Sequence, residues 1–184
     1  MSELSDRGAV PGPRAPLGRV LSVLVLFLGG GAAAGVLWEW LWEPPSGLVY
    51  EGRWYLEPAG PDVSFEGVAL FVLIAFPLGL VLAVLAGMWR GHESATLVSV
   101  LTGACLAAAV MYAVGNALGP EDPQALAAAL SDYTALDAGL GLTAPDPGRV
   151  PWHSPALVAL PAGAMTGLVV TYLCGTGFVR RSRG

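Results

Sequence analysis

The side chains best suited to chemistry are Glu39, Glu43 and His153. A carboxylate and an imidazole within about 3 Å of each other can work as an acid–base pair. Glu39 and Glu43 lie four apart in GVLWEWLWEPP, which closes the first apolar run, and His153 opens the last. An enzyme acting at the membrane surface would need those two runs to meet. Their spacing matches no catalytic motif, so the expectation is a non-enzymatic protein. Asp146 and His153 are too sparse to specify a metal. Cys105 and Cys174 fall inside apolar runs and read as small buried residues rather than a disulfide or zinc ligands. No metal and no cofactor is expected.

The elements that would position these groups are plain in the composition. The chain has 184 residues, 54% hydrophobic and only 12% charged, with a mean hydropathy of +0.62. A soluble domain carries about twice that charge. A net charge of −5 argues against nucleic acid as a partner, because phosphate binding needs a basic face. Four stretches, about 20–42, 67–89, 95–118 and 155–178, are long and apolar enough to cross a bilayer. In lipid such runs must be helices, which satisfy their own backbone groups.

Arginine placement sets the expected direction. Seven of the nine arginines precede the first span, lie in the turn between spans two and three, or follow the fourth. The other side holds Arg53, Arg149 and ten acidic residues. Both termini are therefore expected in the cytoplasm, as tails 1–19 and 179–184, with outer loops at 43–66 and 119–154. A cleaved signal peptide ending near Ala32-Ala33-Ala34 is the competing reading of the N-terminus. Against it, apolar character continues through Leu37 and Trp38 to make a full span.

Within that topology Trp38, Trp40 and Trp42 read as an interfacial anchor, because indole rings favour the headgroup layer. Trp38 and Trp42 share a helix face, and Pro44-Pro45 ends the helix. Glu39 is the most membrane-embedded acid, so Glu39, Trp42 and His153 are the candidate functional side chains. In the first loop, Glu51-Gly52 between LVY and RWY predicts a β-hairpin with a two-residue turn, packed on the bundle. Tyr50, Trp54 and Tyr55 could there form an aromatic platform for a sugar. In the second loop, Asp122-Pro123 followed by Leu126, Leu130, Tyr133 and Leu140 predicts an amphipathic helix over 123–138. Ser154-Pro155 predicts a cap and first turn for the last span, and Pro77 and Pro161 predict kinks. Gly31-x3-Gly35 and Gly163-x3-Gly167 are patterns that let helices approach closely.

The stretches GVLWEWLWEPP, MWRGHES and HSPALVALPAGA, in that order, resemble a family of small actinobacterial membrane proteins known as domain of unknown function 2567. The resemblance covers about residues 15 to 178. It implies four spans, cytoplasmic termini and two outer loops, and carries no activity or catalytic residue.

The expected fold is thus an all-α membrane protein with four transmembrane helices, a short outer β-hairpin and an amphipathic outer helix. Its expected role is an accessory or scaffold component of the cell envelope, multi-pass in the cell membrane. Its expected partners are the lipid bilayer and a membrane protein or further copies of itself. The alternative is a small transporter or exporter of an apolar or lipidic solute, for which the two helical hairpins would form a repeat.

Overall fold

The computed structural model describes residues 14–56, 61–88, 93–140, 142 and 154–181. Four long helices dominate: α1 (Arg14–Leu41), α2 (Pro61–Gly87), α3 (Glu93–Leu118) and, after a short α4 (Pro123–Ala127), α5 (Ala159–Arg181). All four are long and apolar enough to cross a membrane. Strands β1 (Ser46–Tyr50), β2 (Arg53–Leu56) and β3 (Ala135–Asp137) form a small sheet in the order β2-β1-β3. Helix α1 starts within the stretch expected to be a tail, and α5 runs a little past the expected span.

Alternate helices, not consecutive ones, pack most closely: α1 lies on α3, and α2 on α5. Glycine makes this possible. A Cβ on Gly31 would come within 2.5 Å of the Ala107 carbonyl, and one on Gly35 within 2.6 Å of the Met111 carbonyl. Phe27 faces Gly103 and Trp38 faces Gly115. Partner numbers rise together along both helices, so the pair is parallel. The second pair repeats the device, with Gly79 against Leu160 and Ala164, Gly163 against Phe76, and Gly167 against Leu80. Both GxxxG patterns thus face a neighbour's backbone. In an apolar solvent such close approach replaces the hydrophobic effect as the source of helix attraction.

The bundle core is filled by Val23, Phe27, Trp38, Phe71, Val100, Met111 and Leu160, all fully buried. Pro77 sits inside α2 without ending it. Pro161 does not interrupt a helix, because α5 begins only at Ala159, after a 3-10 turn over Pro155–Val158. Cys105 and Cys174 are free and lie on the exposed side of their helices, which corrects the expectation that they are buried.

The largest departure from expectation concerns the second loop. In place of a helix over 123–138, α4 stops at Ala127 and the chain returns as β3 beside β1. The apolar spacing was misleading: Leu126, Leu130 and Tyr133 are exposed, while Leu140 is buried in the bundle core. Pairing with β1 decides the outcome, since that strand would otherwise leave a row of backbone groups unpaired. Ser46 pairs with Asp137, Gly47 with Leu136 and Leu48 with Ala135.

If the glycines set helix spacing, Gly35→Val and Gly163→Val will each destabilise the protein by about 1–3 kcal/mol through overpacking. Gly29, where an added Cβ would meet nothing within 4 Å, is the internal control. Gly29→Ala should be neutral or stabilising by up to about 1 kcal/mol. Thermal unfolding in mild detergent compares the three.

Candidate functional site

The sequence-predicted anchor divides into three different environments. Trp38 is fully buried rather than interfacial. Its Nε1–H donates to the Gly67 carbonyl at 2.9 Å, and its ring meets Phe71 edge-on at 5.1 Å and Tyr112 at 6.4 Å. A buried indole must find an acceptor for its N–H, and the start of α2 supplies one. Gly115 leaves the space that the ring occupies. Trp42 is half-buried against the same core, whereas Trp40 is 76% exposed. Trp38 and Trp42 do share one face, as their spacing predicts, but that face is turned into the bundle.

Glu39 is half-buried and Glu43 exposed at the end of α1. His153 lies outside the described residues, as do Asp146 and Arg149. The carboxylate–imidazole pairing is therefore not among the described geometry. Among the described residues there is no group of three or more His, Cys, Asp or Glu placed to hold a metal ion.

At this end of the bundle the sheet and α4 form a cap with its own small core of Val49, Trp54 and Ala127. The hairpin turn falls at Glu51-Gly52, as the sequence predicts, with φ of 49° and 69°. Both are left-handed, which a two-residue hairpin of this hand requires. Glycine takes that conformation freely; Glu51 is held there by its N–H, which donates to Asp132 Oδ1 at 2.9 Å. Next to Asp132, Tyr133 also has a positive φ of 68°. Its N–H donates to the Val49 carbonyl at 2.7 Å, so strand pairing fixes the strained residue.

Gln124 closes the free edge of β2. Its Nε2 donates to the Trp54 carbonyl at 2.8 Å and its Oε1 accepts from the Trp54 N–H at 3.4 Å. One side chain thus imitates a fourth strand and blocks edge pairing. Asp122 holds α4 as expected, accepting from the Gln124 N–H at 3.0 Å with Pro123 in the first turn. Trp54 is buried and donates its Nε1–H to the Leu136 carbonyl, which removes it from any aromatic platform. Tyr50 and Tyr55 remain on the surface, and Tyr50 is joined by Tyr133, whose ring lies 6.0 Å away. The acidic side chains of Glu51, Asp132 and Asp137 are exposed on the same cap. This tyrosine pair was not legible in the sequence, because it depends on the β1–β3 pairing.

Among the described residues, two side-chain bonds tie the segment after β3 to the bundle. Asn116 Nδ2 donates to the Leu140 carbonyl at 2.8 Å, and the buried Ser154 hydroxyl donates to the Leu142 carbonyl at 3.1 Å. Within the cap, Ala138 N–H donates to the Pro45 carbonyl at 2.8 Å, which extends the β1–β3 pairing by one bond. Ser154 occupies the cap position of the 3-10 turn, but its hydroxyl serves this cross-link instead of capping the turn.

Compared with known proteins, the chain matches no family model, no curated protein and no solved structure.

Replacing Gln124 by Ala should cost about 1–3 kcal/mol locally, since two backbone groups of a partly buried strand lose their partner. Amide hydrogen exchange is expected to rise at Trp54 and its neighbours, with the bundle helices unchanged. Equal loss of protection across the bundle would mean that the cap and bundle fold as one unit.

Proposed function

We propose that this chain is a multi-pass membrane protein of the cell envelope that acts as an accessory or scaffold component, with the cap as its working surface. The observation that carries the reading is the division of polar groups between the two layers. Among the described residues the buried polar side chains are Thr96, Ser99 and Ser154, and none carries a charge. A bundle interior of that kind, pressed together by glycine contacts, offers neither a charged ring nor a polar stripe for an ion. On the cap, by contrast, charged side chains are exposed next to aromatic ones, with Tyr50, Tyr55 and Tyr133 on the same small sheet as Glu51 and Asp132. Tyrosines of this kind are favoured at protein interfaces, because they bring large contact area at low entropic cost.

In the proposed arrangement the arginine-rich end of the bundle faces the cytoplasm and the acidic cap faces outward. Membership of the family named domain of unknown function 2567 belongs to the same proposal. The partner is a membrane or envelope protein, or a further copy of this chain.

The test is recovery of partners from native membranes. The chain contains no Lys, so amine-reactive reagents have no side chain to join. A photoreactive benzoylphenylalanine in place of Tyr55 overcomes this. A single partner should be captured reproducibly on illumination and identified by mass spectrometry, and Tyr50→Ser with Tyr133→Ser should reduce its yield several-fold. Recovery of the uncross-linked monomer alone would contradict the scaffold reading.

A further inference from the structure

The two edges of the cap's sheet are unlike. Gln124 closes β2 by bonding both backbone groups of Trp54. The outer edge of β3 has no such cover among the described residues. Its open groups follow from the ladder. The Thr134 carbonyl and the Ala138 N–H both bond to the β1 side. In an antiparallel pair alternate residues bond to the neighbour, and those between turn their N–H and C=O the other way. Here Ala135 and Asp137 lie between, and both are exposed. The edge therefore offers two donors and two acceptors, and a fourth strand could add to it.

Side chains decide which strand fits. Ala135 and Asp137 stand opposite Leu48 and Ser46, on the sheet face turned away from Val49 and Trp54. Ala135 leaves room for a neighbouring side chain, and Asp137 sets an exposed carboxylate next to it. Acids flank the strand at both ends. Asp132 precedes it and accepts from the Glu51 N–H at the hairpin turn. Asp122 lies beyond it, where a Cβ on Gly139 would meet its Cα at 3.8 Å. Arg53, the base of the sheet, is on β2, two strands and about 10 Å away. We propose that the β3 edge pairs with an extended segment of a partner protein carrying Arg or Lys at alternate positions. This names the chemistry of the partner given to the cap above, and rests on that reading.

Charge complementarity favours this occupant over the alternatives. A neutral strand would bond the backbone but gain nothing at Asp137. A second copy, paired edge to edge, would bring two sets of acids together, which costs affinity.

The test uses the full chain in a neutral detergent with three synthetic peptides. They are Thr-Arg-Val-Arg-Val-Arg-Thr, the same sequence with Glu for Arg, and the Arg peptide N-methylated at its central residues. The Arg peptide should bind at least about tenfold more tightly than the others, because N-methylation removes its donors and Glu reverses its charge. Binding should slow amide exchange at Ala135 and Asp137 and leave Val49 unchanged, since the Val49 N–H already bonds to Thr134. Ala135→Pro removes one outward N–H, a change tolerated on an edge strand, and should weaken the peptide about tenfold with thermal unfolding unaltered. Asp137→Asn leaves the backbone as it is, and should weaken the peptide several-fold and flatten its salt dependence. The inference is overturned if the N-methylated peptide binds as well as its parent, or if exchange at Ala135 does not slow. Photocapture separates it from the scaffold reading. A partner captured at Tyr55 equally well after Ala135→Pro and Asp137→Asn would overturn the edge and keep the scaffold. Capture of nothing by the parent chain would contradict the scaffold, whatever the peptides do.

Discussion

Everything in this structure follows from how closely two helix backbones can approach. Between apolar helices in an apolar solvent, no gain comes from excluding water, and attraction must come from short-range contact. Dispersion falls away over fractions of an ångström, so the presence of a Cβ at the contact point decides whether helices pair. Gly31 and Gly35 on α1, Gly79 on α2, and Gly163 and Gly167 on α5 remove that atom where a neighbour's carbonyl lies. The result is two parallel pairs, α1 with α3 and α2 with α5, built from helices that are not consecutive in the chain.

That pairing has consequences at both ends. Near the cap, the pairs are joined through Trp38, whose ring spans from Gly115 and Tyr112 on α3 to Gly67 and Phe71 on α2. At the opposite end, among the described residues, α1 and α2 separate at a groove lined by Ser22 and Met88. The two long connections, from α1 to α2 and from α3 to α5, both lie at the cap end. Those connections fold on each other: the second supplies β3 and α4 to a hairpin contributed by the first. A lone two-stranded hairpin is marginal in water, and the third strand with Gln124 on the far edge gives it independent support.

Features set by local chemistry could be read directly from the sequence. The four apolar runs, the Glu51-Gly52 turn, the Asp122-Pro123 helix start and both GxxxG patterns require only neighbouring residues, and each has its structural counterpart. Features that depend on remote partners could not be read. Leu126, Leu130 and Tyr133 are spaced as on a helix, yet the free edge of β1, more than seventy residues earlier, draws the following segment into a strand. Trp38 has the composition of an interfacial anchor, but a carbonyl on α2 and a glycine on α3 place it in the core. Of the candidate site residues, Glu39 and Trp42 lie at the junction of bundle and cap, and the Tyr50–Tyr133 pair emerged only from the strand order.

The central claim, that α1 and α3 form a parallel pair at glycine distance, can be tested by disulfide trapping. A Cβ on Gly103 would lie 3.2 Å from the Phe27 Cβ, close to the 3.5–4.5 Å that a disulfide needs. Phe27→Cys and Gly103→Cys would be combined in a chain lacking Cys105 and Cys174, with a protease site inserted in the stretch 57–60. Mild oxidation in membranes should hold the two halves together after cleavage, and reduction should release them. Separation of the halves without reduction, under conditions that oxidise a control pair, would contradict the pairing on which the account is built.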